Sequence, residues 1–199
     1  MKFIKENSYD IVKFFIYQAG IAIFSIALLT AVTSATEDDP GLKSIMKLAV
    51  SILAVGFYMM LVYMVSWEEG AKDRIRIDGG KIRGDRFKAA KIALIANLPN
   101  FIMGAVAILS SFLYGDGNAW TAVLGVLLAI MGLIEAMYIG IIQFILSSVS
   151  TETSLYYLFQ SLCFCLMPLL IVASAHLGFT LGDKNIKIFG FSSKKTTKR

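Results

Sequence analysis

One carboxylate, Glu135, stands in the middle of an apolar run that has no Lys or Arg from Ile92 to Asp183. An ionised carboxylate in hydrocarbon costs roughly 2.5–3.5 kcal/mol on insertion scales. Such a group must therefore face a bundle interior, reach water or hold a proton. The side chains able to meet it are neutral: Gln18, Asn97, Asn100 and Gln143. Two arrangements would satisfy them. One is a polar cavity with Glu135 at its floor; the other is a set of helix-bridging hydrogen bonds, each worth about 0.6 kcal/mol.

The remaining reactive residues are sparse. His176 is the single histidine, and near the end of an apolar segment it reads as a helix-end hydrogen-bonding group, with proton transfer as the alternative. Cys163 and Cys165 are two apart, so on a helix they diverge and share neither a metal nor a disulfide; they read as small buried apolar residues. Asp78-Gly79-Gly80-Lys81 suggests phosphate binding, but a Walker loop needs Gly at 75 and Ser or Thr at 82, where this chain has Ile. A tight turn fits better, with Ile75, Ile77 and Ile82 resting on a bilayer or a neighbouring helix. No metal-ligand or nucleophile-elbow pattern occurs and the expected spans hold no paired carboxylates, so the chain reads as neither an enzyme nor a cofactor protein.

The elements that must position these groups follow from composition. Of 199 residues 57% are hydrophobic and 17% charged, with a mean hydropathy of +0.70. A soluble domain needs more polar surface than that, so hydrocarbon is the second solvent. The pattern predicts an all-α, polytopic transmembrane helical bundle forming one domain over residues 1–199. Five spans are expected at about 14–32, 48–67, 92–114, 120–149 and 155–181, with a basic loop at 68–91 and a basic tail at 182–199. The leader has signal-peptide features, including the Thr33-Ser34-Ala35 run, but Glu6, Asp10 and the length of the apolar core favour an uncleaved anchor. Pro99 between two asparagines and Pro168 in segment five are expected to disturb their helices.

Basic loops resist translocation. The loop at 68–91 holds Lys72, Arg74, Arg76, Lys81, Arg83, Arg86, Lys88 and Lys91, so it and the leader are expected in the cytoplasm, with the Glu37-Asp38-Asp39 turn outside. Five crossings then carry the basic tail, from Lys184 to Arg199, to the outside against the rule. A re-entrant segment three or a translocated tail would resolve the conflict; two spans in segment four would need more than its 30 residues. In the five-span orientation Gln18, Asn97, Asn100 and Gln143 fall in the cytoplasmic half, so the cavity would open inward, while His176 falls in the outer half.

Gly125, Ala129, Gly132, Ala136 and Gly140 recur at spacings of four, three, four and four along segment four. This predicts one helix-packing face for close backbone approach. Packing within the monomer is the simpler use, and a homo-oligomer or partner membrane protein the other. As a straight helix that segment would be about 45 Å long, more than a bilayer core requires, so it must tilt, kink or protrude. The net charge of +5 sits in short blocks beside apolar segments; this suits a lipid bilayer, with anionic lipid at the 68–91 loop, and excludes nucleic acid. The absence of any Asn-x-Ser/Thr site points to a bacterial plasma membrane, multi-pass, with a cytoplasmic N-terminus.

Trp67-Glu68-Glu69-Gly70-Ala71-Lys72-Asp73, Ile75-Arg76-Ile77-Asp78-Gly79-Gly80 and Ala96-Asn97-Leu98-Pro99-Asn100 together resemble a family of small, uncharacterised multi-span membrane proteins from Gram-positive anaerobic bacteria. The resemblance implies a bacterial membrane setting and transfers no functional residue. Two functions fit the residues: a minor permease or transporter subunit built around Glu135, and a non-transporting interaction protein, such as an assembly partner, sensor or immunity-type component.

Overall fold

A computed structural model describes residues 2–82, 84–115, 119–150 and 154–186. Residues 116–118 and 151–153, and most of the basic tail, 187–199, lie outside the described residues. Among those described every regular element is helical: α1 (Lys2–Glu6), α2 (Ser8–Ala35), α3 (Pro40–Asp78), α4 (Lys88–Ala96), α5 (Leu98–Phe112), α6 (Ala119–Ile134), α7 (Ile139–Ile145), α8 (Ser154–Leu166) and α9 (Pro168–Asp183). Three helices are long and apolar enough to cross a membrane, α2, α3 and the α8–α9 unit. Two bent pairs, α4 with α5 and α6 with α7, pass the same test jointly.

The 39-residue α3 runs well past the apolar span expected for it. It starts where Pro40 needs no amide partner and Asp39 Oδ1 accepts from Leu42 N at 2.9 Å. It continues through the region read as a loop because charges spaced three and four apart support it in water: Lys72 with Glu69 at 2.9 Å and Arg74 with Asp78 at 3.2 Å. It stops at Gly80, where φ is +68°. There Lys81 N donates to Arg76 O and Gly80 N to Ile77 O, both at 2.9 Å, the bond pair of a Schellman cap. The true connection is therefore only the segment from 79 to 87, and residues 68–78 are helix. Asp73, buried, ties its ends together, accepting from Lys88 Nζ at 2.7 Å and Arg76 Nη1 at 3.4 Å.

The course of the chain follows from its cross-helix contacts. Tyr58 Oη donates to Phe14 O at 3.5 Å, and Asp10 and Phe14 wall one small space with Val65 and Glu69, so α2 and α3 are antiparallel. α4 leaves the end of the molecule that carries the 79–87 connection (the loop end), where Phe87 stacks on His176 with centroids 5.1 Å apart. α5 and α8 are antiparallel, with Gly104 against Cys165 and Tyr114 against Tyr157. Most informative is α9, which runs parallel to α3. Ser174 Oγ donates to Met59 O at 2.7 Å, Gly178 lies on Tyr63 O, Gly182 lies on Trp67 O, and Trp67 Nε1 donates to Ile186 O at 2.8 Å. Both helices therefore finish at the loop end, and His176 is found there too.

The small side chains at 174, 178 and 182 make this approach feasible. A Cβ on Gly178 or Gly182 would overlap the α3 backbone, and one on Gly70 would overlap Phe179 O. Small residues at these positions let the two backbones approach closely.

Candidate functional site

Each of the last three segments is interrupted, and each interruption has its own cause. At Asn97 the chain bends by 55°. Pro99 lacks an amide hydrogen, which frees the Ile95 carbonyl; beside it Asn97 Nδ2 donates to Ala93 O at 2.9 Å and Asn100 Nδ2 to Asn97 Oδ1 at 3.2 Å. At Met167 the break precedes Pro168 and is mild enough that α8 and α9 count as one 30-residue helix. The third break has no proline. At Glu135 the chain turns by 89° through one 3-10 turn, Ala136–Tyr138, before α7.

Packing causes this third break. Gly140 sits on the α3 backbone, where an added Cβ would overlap Lys47 O. Its amide, in the first turn of α7 and so without an intrahelical acceptor, donates to Ser51 Oγ at 2.9 Å. Segment four thus enters from the end opposite the loop, where Thr121 Oγ1 donates to Gly115 O at 2.7 Å beside the α5–α6 turn. It reaches Glu135 and turns aside across the start of α3. Ile134 stands beside Gln18 and Ala22 of α2, whereas Ile139 stands beside Leu29 and Thr33, nearer the turn at 36–39.

Glu135 is fully buried, and neither carboxylate oxygen has a hydrogen-bond partner among the described residues. Tyr58 of α3 and Tyr138 lie within electrostatic reach of it, as does Cys165 of α8. Both tyrosines are buried, and the Tyr138 hydroxyl is also without a partner. The site is a buried junction of α2, α3, α8 and the Glu135 bend, holding one carboxyl and two phenols. Buried polar groups left unsatisfied cost about 1–3 kcal/mol each, and they are informative because most buried polar groups find partners.

The other expected site residues divide. Gln18 is buried with its Nε2 unpartnered and shares a cleft with Ile134, adjacent to Glu135. Asn97 and Asn100 are buried and bond to each other and to the backbone. Gln143 does not join them: it is exposed at the opposite end of the molecule from the loop, accepting from Lys47 Nζ at 3.3 Å. None of the clefts described is lined by Glu135. A cleft of about 370 Å³ at the loop end is walled by Arg74, Asp85, Arg86, Asp183 and Lys184 among others, and does not reach it.

The strip of small residues is divided as well. Ala136 and Gly140 are buried. Gly125 and Ala129 are exposed, and a Cβ at Gly125 or Gly132 would meet nothing within 4 Å. The right-angle bend at Glu135 is the reason, because a face continuous on a straight helix cannot survive it. A second close helix approach, beside that of Gly140, lies at Ser174, Gly178 and Gly182, a four-residue repeat as visible in the sequence as the one on segment four. Among the described residues no cluster of three or more His, Cys, Asp or Glu could hold a metal ion. Set against models of protein families, curated proteins and solved structures, the chain matches none.

Proposed function

We propose that this chain is a multi-pass protein of a bacterial plasma membrane that acts as a small permease, or as the membrane subunit of one, with Glu135 exchanging a proton or cation during transport. The observation that carries this reading is a fully buried carboxyl, without partners among the described residues, at the 89° break between α6 and α7. Irregular backbone at membrane depth is tolerated only where protein or a water-filled cavity surrounds it, and interrupted helices are where transporters build their sites.

The parallel course of α3 and α9 supports four crossings, by α2, α3, α4–α5 and α8–α9, with α6–α7 entering and leaving on one side. Five alternating crossings would set α3 and α9 antiparallel. The basic leader and loop put the loop end in the cytoplasm. The tail after α9 then lies on that same side, which removes the conflict over its positive charge.

The test is proton flux into liposomes containing the purified chain under an imposed potential. Wild type is expected to acidify the lumen and Glu135→Gln to lose at least tenfold of that rate; equal rates would refute the assignment. Absence of flux in both favours the second reading, a non-transporting interaction protein, which is supported by the open Gly125, Ala129 and Gly132 positions.

A further inference from the structure

The amide of Gln18 is a donor with nothing to donate to, in the wall of an apolar cleft. That cleft, about 250 Å³, lies between α2 and α6, with Ala22, Ile23 and Ile26 on one side and Leu133 and Ile134 on the other. Gln18 is 1% exposed and its Nε2 has no partner. Around the cleft Phe15, Ile23 and Leu133 are exposed, so in a bilayer this face meets lipid. Lys13 precedes Gln18 by five residues, about 7.5 Å along a helix. With Lys13 near the headgroups, the amide lies just beneath them, and the cleft runs from it toward the bilayer centre.

We propose that this cleft takes one acyl chain of an inner-leaflet glycerolipid, and that the enclosed Gln18 side chain turns toward the cleft to donate from Nε2 to the chain's ester carbonyl. The chain matches the apolar walls, and the carbonyl satisfies the amide. A carbonyl at the head of an apolar chain is the required chemistry, and a free fatty acid shares it. The proposal rests on the bilayer reading above and is independent of transport.

The experiment places the full chain in phosphatidylglycerol–phosphatidylcholine nanodiscs with trace phospholipid bearing a diazirine on its chain, as either the diacyl ester or the dialkyl ether, and maps labels by mass spectrometry. The ester is expected to label 22–26 and 133–134 about fivefold more than the ether, the discrimination that one net hydrogen bond supplies. Gln18→Leu should equalise the two probes. That variant removes an unsatisfied buried amide, so folding is not at risk. Ala19→Trp, at an exposed wall position, should lower both. Equal ester and ether labelling in wild type, or labelling no greater than at exposed Ile102 and Phe112 of α5, overturns the proposal. Displacement of the ester label by oleate overturns the ester in favour of a free acid. No label on α5 either overturns the bilayer reading itself.

Discussion

Replacing Gly178 by Ala tests the parallel contact between α3 and α9 directly. The added methyl would overlap Tyr63 O and stand 3.1 Å from both Ser66 Cβ and Tyr63 C. Ordinary carbon contacts lie at about 3.5–4.0 Å, and the obstructing atoms are mostly backbone, so no rotamer change relieves the clash. The helices must part. That loosens the Ser174–Met59 hydrogen bond one turn away and the Gly182–Trp67 contact on the other side. Overpacking costs about 1–3 kcal/mol. With backbone in the way the upper figure applies, offset by about 1 kcal/mol that Ala regains over Gly in a helix. The net loss is about 2 kcal/mol, near thirtyfold in the folding equilibrium. Titration with SDS in mixed micelles measures it, and Trp67 fluorescence reports from the contact itself. Gly125→Ala is the control, since a Cβ there meets nothing within 4 Å, and it should be neutral or mildly stabilising. A Gly178→Ala protein within about 0.5 kcal/mol of wild type, or an equal loss in Gly125→Ala, would refute the packing argument.

Three further outcomes follow from the geometry. Ser51→Ala leaves the Gly140 amide without its acceptor, so stability should fall by about 1–3 kcal/mol and hydrogen exchange at Gly140 should accelerate. Asp73→Asn breaks a largely buried ion pair and strands Lys88, whose side chain is 18% exposed; about 3 kcal/mol should be lost, and the double variant with Lys88→Met should recover most of it in the same titration. The hydrogen bond from Lys91 holds the Asp85 carboxyl below its usual value of 3.8, outweighing burial and aided by the Phe87 amide. Because the folded value is lowered, its stabilisation is complete above the ordinary carboxylate range and lost as pH falls through the folded value. Proteolysis of the 79–87 connection should therefore rise below about pH 4, and Asp85→Asn should remove that acid dependence.

Much of the architecture is legible in the residues because hydropathy sums over about 20 positions. The helical class and the apolar segments follow from it, and Pro99 and Pro168 mark two of the three interruptions. The third is invisible locally. Its cause lies in α3, where Ser51 meets an amide 89 positions later, and no window on segment four contains that information. From this one omission the rest follows. A straight segment four carries Gln143 toward the cytoplasmic half and sends segment five outward, taking His176 with it. A segment that turns at Glu135 returns Gln143 to the far side and brings His176 to the loop. Glu135 itself stands out in the sequence as a charge with no counter-charge. What the residues could not reveal is that the carboxyl is fully enclosed, since burial of this degree depends on four helices meeting.

The α3–α9 pairing also sets an order of events. Ser174 binds a carbonyl 115 positions upstream, so α3 emerges from the ribosome long before the helix that covers it. In the interval its flank at Met59, Tyr63 and Trp67 stays without the helix that covers it. A chain arrested before residue 168 would keep that groove open, and it is there that a quality-control protease would find a half-made molecule.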